Sequence, residues 1–509
     1  MSFFIAILEI CFIFHAKKFM TNSNSTSTQQ PKLLYLLSAT ETWERFGFYG
    51  MRALLVLFMT KELMYHQVRS NSIYAAYAAL IYFGPFIGGI IADRYLGYQK
   101  SVIFGGIMMA LGYLLMIPNE EFTVYIALAL VILGNGFFKS SLASTVGGLY
   151  EQGDPRRDAG FTIYYIGINI GASVAPIICS FVKEAYGTKY AFVIAFIGML
   201  IALFLFFGQL KQLGNNGLPP DIEKLKQKIM GIPLEFLIYA LSLLAVPVFI
   251  SFLYFEYEYR LATYSLVPIG LMCFGYIFYT ALKSDQKQRE QLFVVLILMF
   301  CNTLFFSFFD LAATALTVFA DNNVNRTVFG FSIPAQAFIA VNPTFTMILG
   351  VFFSQLWVYL AKRNQDPSTP AKFVFALVLV GIGFACFVLG TKNLDSQNLV
   401  PVGFLLLGYL FHTLGELCLS PVGLSTMTKL SPKTITAMVI GAWYLCWSFS
   451  NLIAKELANL TVIDANIPPV DSAVSYANVF GNIAMVSVAA GLMLIGLVPL
   501  IKKWMHGVN

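Results

Sequence analysis

The stretch YAFVIAFIGMLIALFLFFG, Tyr190–Gly208, decides the fold class because its 19 residues contain no charged side chain. A helix needs about 20 apolar residues to cross the hydrocarbon core of a bilayer. The rest of the chain is similar, since 58% of its 509 residues are hydrophobic and only 11% are charged. Soluble domains carry about a quarter charged residues. Composition therefore excludes a water-soluble enzyme, a disordered chain and a nucleic-acid binder, and predicts a polytopic membrane protein.

Fourteen apolar segments are long enough to be membrane helices. They are Leu33–Leu63, Ile73–Arg94, Ser101–Ile117, Phe122–Leu149, Ala159–Phe181, Tyr190–Gly208, Pro233–Phe255, Leu261–Leu282, Gln291–Phe319, Ala335–Ala361, Phe373–Gly390, Val400–Met427, Ile435–Leu457 and Val474–Ile501. An all-α fold is expected because lipid offers the backbone no hydrogen-bond partner, and no long polar/apolar alternation indicates a barrel.

The lysines and arginines predict which end of each helix faces the cytoplasm. With the N-terminus inside, most of the 32 basic residues fall in cytoplasmic segments, whereas the acidic residues divide evenly between the two sides. This is the bias that the positive-inside rule describes. An even number of helices returns the C-terminus to the cytoplasm, so we expect a multi-pass protein of the cell membrane. The net charge of +6 is then a topology signal and does not indicate an acidic partner.

The segments fall into two groups of six, separated by a charged stretch and two extra segments. The predicted organisation is an N-terminal tail (1–32), a six-helix bundle (33–208), a linker with an extra two-helix hairpin (209–289), a second six-helix bundle (290–502) and a tail (503–509). Two six-helix halves are typical of the major facilitator fold, which binds its substrate near mid-membrane between the halves. The hairpin carries few charges, so we expect it to be peripheral.

The first 19 residues form a short apolar run that ends near Lys17 and Lys18. It resembles a signal segment, but no small-residue cleavage site follows it. We expect either that Met20 is the true start or that residues 1–19 lie at the membrane surface.

Seven ionisable residues lie inside apolar segments, where charge is costly and functional by default. They are Glu41, Glu44, Arg45, Arg52, Lys139, Asp310 and Glu416. At about 1.5 Å per residue, all but Arg52 and Asp310 fall in one slab of the membrane, and those two share a more external slab. The alternative is that these charges only form ion pairs between neighbouring helices and have no role in binding substrate. We favour a substrate site because so many costly charges at matched depth exceed what packing requires.

Motifs around these charges resemble those of the proton-dependent oligopeptide transporter family, within the major facilitator superfamily. They are Glu41-x-x-Glu44-Arg45-Phe-x-x-Tyr49-Gly-x-Arg52, Gly89-Ile-Ile-Ala-Asp93-Arg94-Tyr-Leu-Gly97-Tyr-Gln-Lys100, Gly134-Asn-Gly136-Phe-Phe-Lys139, Phe161-Thr-Ile-Tyr164-Tyr165-Ile-Gly-Ile-Asn169-Ile-Gly171 and Gly415-Glu416-Leu-Cys-Leu-Ser420-Pro421. The blocks occur in the family's order over nearly the whole chain. The resemblance implies a symporter that imports di- and tripeptides with protons by alternating access.

The resemblance also implies a site with two poles, because a peptide is a zwitterion. Arg45 and Lys139, with Arg52 nearby, would hold the carboxylate, for which an arginine fork is geometrically suited. Glu416 with Asn169 and Asn342 would hold the amino terminus. The remaining expected pocket residues are Tyr49, Tyr82, Tyr165, Ser420 and Trp443.

Proton coupling is expected from the groups Glu41, Glu44, Arg45, Lys139 and Glu416. One hypothesis is that a glutamate faces Lys139, and that its protonation frees Lys139 for the substrate carboxylate. Arg52 and Asp310 are expected to form an external gate, while Asp93 and Arg94 stabilise one gate conformation. No cofactor is expected, since the proton gradient drives transport.

Two departures from the family pattern concern proton handling and side-chain preference. Ala75 stands where animal members carry a histidine, and His412 either modulates Glu416 or hydrogen-bonds a neighbouring helix. The run from Phe305 to Ala313 lacks the glutamine and serine content of many members.

Other functions are less well supported. A family carrier of an amino acid, an anion or a peptide-like drug is the nearest alternative. A membrane enzyme is not expected, because the sequence has no His-x-x-x-His, Gly-x-Ser-x-Gly or Walker motif. The seven cysteines and four histidines show no metal-ligand spacing. We expect a monomer in the lipid bilayer, without a nucleic-acid partner.

Overall fold

The computed structural model describes residues 29–118, 120–151, 154, 156–229, 231–363, 365–432, 435–462 and 467–508. The predictions for residues 1–19 and Met20 lie outside these ranges. The helices are α1 (Lys32–Lys61), α2 (Gln67–Ile91), α3 (Gly97–Leu115), α4 (Glu121–Gly147), α5 (Arg157–Tyr186), α6 (Thr188–Leu213), α7 (Ile222–Lys226), α8 (Leu234–Leu243), α9 (Ala245–Tyr254), α10 (Glu256–Tyr259), α11 (Leu261–Lys283), α12 (Gln286–Phe309), α13 (Ala315–Asn323), α14 (Val341–Lys362), α15 (Thr369–Lys392), α16 (Val402–Leu430), α17 (Thr436–Asn459) and α18 (Pro469–Trp504).

Short irregular elements connect some of these helices. A π-helical turn, Ala92–Leu96, joins α2 to α3, and two 3₁₀ turns, Asp310–Ala313 and Ala335–Ala340, precede α13 and α14. The strands are two residues each: β1 (Lys228–Ile229), β2 (Ile232–Pro233), β3 (Val324–Asn325), β4 (Thr327–Val328), β5 (Phe331–Ser332) and β6 (Val400–Pro401). The pairs β1–β2 and β4–β5 are antiparallel, and β3–β6 is parallel.

The predicted all-α membrane fold is confirmed. Among the described residues, 11 helical stretches are long and apolar enough to cross a membrane, and one of them, Gln67–Leu115, contains both α2 and α3. Outside this set, α1 and α17 have 30 and 24 residues. Each of the fourteen predicted segments therefore corresponds to helical structure.

The helix ends define two faces of the molecule. The linker face holds the π-helical turn and the linker 214–233, because Gln99 Nε2 donates hydrogen bonds to the carbonyls of Gly214 and Asn216. The distal face holds the turns α1–α2, α3–α4 and α9–α11, together with β3 to β6. Successive long helices run between these two faces.

The helices pack in two groups, α1–α6 and α12–α18. Within the first group, α4 approaches α2 so closely that a Cβ on Gly88 would lie 2.2 Å from the carbonyl oxygen of Gly136. Small residues at such crossings let membrane helices approach backbone to backbone. The two glycines that flank Asn135 therefore bring α4 close to its neighbours, Gly136 to α2 at Gly84 and Gly134 to α3 at Gly105.

The predicted continuous helix Gln291–Phe319 is wrong in one respect, because the helix breaks at mid-length. α12 ends at Phe309, the 3₁₀ turn begins at Asp310, and Thr314 has φ −122° and ψ −96° before α13 begins. Broken helices at membrane depth are tolerated where they line a cavity or lie inside protein. Asp310 consequently lies at the break.

The extra hairpin, predicted as Pro233–Phe255 and Leu261–Leu282, comprises α8, α9, α10 and α11. None of its described residues lines the cavity described below. It lies beside both groups, with α9 against α2 and α4 and α11 against α12 and α17.

Candidate functional site

A cavity of about 310 Å³ lies between the two helix groups, within the range of small-ligand sites. Twelve of the sixteen predicted site residues line it: Glu41, Arg45, Tyr49, Arg52, Tyr82, Lys139, Tyr165, Asn169, Asp310, Asn342, Glu416 and Ser420. The structure thus brings residues separated by up to 379 positions into one site, as their matched depth predicted.

The wall formed by α1 centres on Arg45. Its Nε and Nη2 both donate hydrogen bonds to the Glu44 carboxylate, the second over 2.8 Å, and Glu41 Oε1 lies 3.2 Å from Nε. Nη2 also donates to Asn135 Oδ1 over 3.1 Å, and Asn135 Nδ2 in turn donates to the Ile81 carbonyl. One guanidinium therefore pairs with two carboxylates, whose combined charge it compensates only by half when both are ionised, and it ties α1 to α4.

Lys139 has no carboxylate within 4.0 Å in the part of the chain that the structure describes. Its Nζ instead lies 5.3 Å from the centre of the Tyr82 ring. The expected ion pair between a glutamate and Lys139 is thus not present. Arg45 takes its place because it is adjacent to Glu44 and one helical turn after Glu41.

The opposite wall carries a carboxylate without a cation. Glu416 Oε2 accepts a hydrogen bond of 2.9 Å from Asn342 Nδ2, which also lies 3.1 Å from Thr413 Oγ1. No lysine or arginine among the described residues lies within 4.0 Å of Glu416. Buried carboxylates are normally paired, so this site is suited to a cation that enters the cavity.

The predicted pair of Arg52 and Asp310 is present, with 3.8 Å between Arg52 Nη2 and Asp310 Oδ1. Arg52 Nε donates to the Tyr74 hydroxyl over 2.6 Å. Asp310 Oδ2 accepts hydrogen bonds of 3.2 Å from Ser450 and Asn451 on α17. The pair therefore joins α1 and α2 to the broken helix and to α17.

Further contacts between the groups lie on the distal side of the cavity. They are an ion pair of Lys61 with Asp321, a hydrogen bond from Ser448 Oγ to the Ala79 carbonyl and one from Asn71 Nδ2 to Asn459 Oδ1. Together with Arg52 and Asp310 they close the cavity towards the distal face.

Comparison with known proteins decides the family. The sequence profile of the POT family matches residues 99–474. The chain belongs to the POT family. It is 30% identical over 491 residues to dipeptide and tripeptide permease B of Edwardsiella piscicida, which covers 96% of this chain and 98% of that protein. Family membership makes it a membrane transporter and not the membrane enzyme considered above.

Solved structures of POT transporters share the fold. The crystal structure of a mutant peptide transporter POT in complex with alafosfalin has a TM-score of 0.81 and 31% identity, covering 95% of this chain and 97% of that one. The crystal structure of tetrameric PepTSo2 has a TM-score of 0.80 and 27% identity, covering 92% and 98%. The major facilitator fold predicted from the sequence is thereby confirmed.

An aromatic wall of this POT transporter's cavity was missed by sequence reasoning. Trp447 lines the cavity, with ring centres 5.5 Å from Tyr82 and 5.6 Å from Phe306. The predicted wall residue Trp443 does not line it, and packs instead against Gly423, where a Cβ would lie 2.4 Å from its ring. The aromatic run from Phe305 to Ala313, which contributes Phe306 and Phe309 to the cavity, was visible in the sequence. The rotation of α17, which places Trp447 beside them, was not.

Three other predicted residues also lie outside the cavity. Glu44 is fully buried behind Arg45, and Asp93 and Arg94 are exposed on the linker face in the π-helical turn.

His412 packs among aromatic rings, with ring centres 4.9 Å from Phe384 and 5.5 Å from Phe387.

Proposed function

We propose that this POT transporter carries di- and tripeptides across the membrane in symport with protons, by alternating access between α1–α6 and α12–α18. The observation that supports it most directly is the separation of charge in the cavity. Arg45 and Lys139 line one side, and Glu416, which has no cationic partner among the described residues, lines the other. A zwitterionic peptide matches this arrangement, with its carboxylate towards α1 and α4 and its ammonium towards α16.

Proton coupling is proposed to act through Arg45. As long as Glu41 and Glu44 are ionised, they hold the guanidinium on α1. A proton on either carboxylate would weaken these ion pairs. Arg45 would then be available, with Lys139, to bind the peptide carboxylate. Departure of the peptide would restore the ion pairs and release the proton. Coupled titration of this kind belongs to the whole cluster and not to one residue.

The distribution of the basic residues indicates which face of the transporter is cytoplasmic. We propose that the linker face and both termini are cytoplasmic, and that the Arg52–Asp310 pair closes the outer side. Asp93 and Arg94 would stabilise the gate on the linker face. We further propose that the transporter acts as a monomer, needs no cofactor and is driven by the proton gradient.

The test is uptake of Ala-Ala into proteoliposomes that contain the purified protein, with and without an inward proton gradient. We expect the peptide to accumulate above its external concentration only with the gradient, and a protonophore to abolish this. The Glu44→Gln variant should exchange peptide across the membrane without concentrating it. Accumulation by Glu44→Gln, or accumulation of free alanine in preference to Ala-Ala, would contradict the proposal.

A further inference from the structure

The α8–α11 hairpin is bound to different helix groups at its two ends. At the linker face, Glu235 pairs with Lys100 on α3 and accepts a hydrogen bond of 3.2 Å from the Tyr239 hydroxyl. The Tyr239 ring stacks on Phe104, also on α3, with 4.8 Å between ring centres. The beginning of the hairpin is therefore attached to the first group.

At the distal face, the hairpin is attached to the second group by a buried ion pair. Lys455 Nζ on α17 lies 2.8 Å from Glu256 Oε1, and the two side chains are 2% and 0% exposed. Thr263 satisfies the remaining acceptor sites, since its backbone N–H donates to Glu256 Oε2 over 3.1 Å and its hydroxyl donates to Oε1. Breaking a buried ion pair from one side costs about 3–5 kcal/mol, so this attachment is firm.

Packing extends the distal attachment along α11. The Phe449 ring of α17 lies directly against Gly270, where a Cβ would be only 1.8 Å from the ring. Phe274 adds a second ring contact with Phe449, at 5.9 Å between centres. A side chain at position 270 would push α17 away, so glycine is needed for this close approach.

Between the two attachments the hairpin is interrupted. α8 ends at Leu243 and α9 begins at Ala245, with Pro247 in the first turn of α9. Proline has no N–H to donate to the carbonyl of Leu243, which removes one helical hydrogen bond and favours a bend there. Beyond this bend α9 still packs against α2 and α4, and the Tyr254 ring contacts the Tyr125 ring, so the hairpin passes from the first group to the second at the α9–α11 turn.

We infer that the α8–α11 hairpin is a strap that links the two helix groups and stabilises the conformation that is closed at the distal face. Both attachments are made in this structure, together with the cross-group contacts that close the distal side. If the groups rock about the cavity, one end of the strap moves with α3 and the other with α17. The α9–α11 turn must then change, or one attachment must give way. This inference rests on alternating access as proposed above.

The test measures conformation independently of transport. Spin labels at Met64 and Phe329 report the distal opening, since these exposed residues lie on the first and second group and on the same face. One variant cuts the distal attachment without leaving a lone buried charge, by Glu256→Gln with Lys455→Met. A second cuts the linker-face attachment by Glu235→Gln. In a cysteine-free background that remains folded by thermal unfolding, we expect each to raise the distal-open population at least threefold.

The combined variant distinguishes a strap from two local effects. Once the distal end of a strap is cut, loosening the linker-face end as well should change the population no further, whereas independent effects add. The control is Lys226→Gln with Glu223→Gln, an exposed pair 3.6 Å apart that lies within α7 and does not join the two groups. Exposed pairs contribute about 0–1 kcal/mol, so little change is expected.

Three results would overturn the inference: unchanged distances in both cut variants, additive shifts, or an equal shift in the control. If the distal variant does not fold, as judged by thermal unfolding, the partly exposed Glu235→Gln variant alone decides, and an unchanged population then refutes the strap. Failure of Ala-Ala uptake by the unmodified protein would instead refute the proposed function, since the distance measurement does not depend on it.

Discussion

The two walls of the cavity hold buried charge in opposite ways. On α1, Arg45 is shared by Glu41 and Glu44, so that each carboxylate there has a cation beside it. On α16, Glu416 has only the amide of Asn342 as a hydrogen-bond donor among the described residues. Charges inside a membrane protein are costly unless they are paired. The first wall is therefore stable without substrate, whereas the second is completed by an entering cation.

This difference separates two kinds of residue that look alike in the sequence. Loss of Arg45 from the α1 wall should disturb folding and coupling together, because it leaves two buried carboxylates without their cation. Substitutions at Glu416 should disturb recognition of the substrate and leave the fold intact.

The largest effect is expected from Arg45→Gln, which leaves Glu41 and Glu44 without a cation. Losing one side of a buried ion pair costs about 3–5 kcal/mol of stability, and the carboxylate subsite is lost as well. Uptake of Ala-Ala in proteoliposomes should fall at least 100-fold, and thermal unfolding should shift downwards. Arg45→Lys should not restore uptake, since an ammonium cannot form the fork that reaches both carboxylates. Near-normal uptake with lysine would contradict the assigned geometry.

Glu416→Gln should weaken peptide recognition without lowering stability. A hydrogen bond to a charged group contributes about 1.5–3 kcal/mol, so KM for Ala-Ala should rise about 10- to 150-fold. The control is N-acetylated Ala-Ala, which has no ammonium. The unmodified protein should discriminate strongly between the two peptides, and the variant should discriminate little. A large drop in thermal stability would show instead that Glu416 has a structural partner.

The charges of the cavity could be predicted from the sequence, because apolar segments fix the depth of each residue to within about a turn. Depth alone placed Arg52 with Asp310 and Lys139 with Glu41. Depth did not show that Arg45 is the partner of the two glutamates. That pairing comes from spacing along one helix, which places residues three and four apart side by side. The motif resemblance supplied the roles, which depth could not.

Rotation and continuity of helices could not be predicted. Trp443 and Trp447 are one turn apart on α17, and only packing against Gly423 determines which of them faces the cavity. The break at Asp310 lies in a segment, Gln291–Phe319, that has no proline or glycine. The residues that usually interrupt a helix therefore do not predict it. The hairpin has few charges, yet one of them, Glu256, is buried against Lys455 on a distant segment.

The two tryptophans provide a matched pair for the aromatic wall. Trp447→Ala should reduce affinity for peptides with an aromatic side chain by up to about tenfold, since aromatic pairs contribute about 0.5–1.5 kcal/mol, and should affect Ala-Ala less. Trp443→Ala should leave this preference unchanged and lower stability, because it empties a packed position. Competition of Phe-Ala against labelled Ala-Ala, with thermal unfolding, measures both. If Trp443→Ala changed the preference for aromatic side chains and Trp447→Ala only lowered stability, Trp443 would be the wall residue.

The smallest effect is expected from Asp310→Asn, at the junction of the two walls. The pair with Arg52 spans 3.8 Å, and asparagine retains an oxygen that can accept from Ser450 and Asn451. Only the charge attraction across the groups is lost, and a coupling of about 1 kcal/mol changes the balance of open and closed states about fivefold. Labelling of an Ala79→Cys variant in the cysteine-free background should report the shift towards a distal-open state, since Ala79 is fully buried here against Ser448 of the second group. Arg52→Gln should give a larger shift, because it also removes the hydrogen bond to Tyr74. Equal labelling in all three proteins would mean that Arg52 and Asp310 do not gate the cavity, and that the remaining distal contacts close it alone.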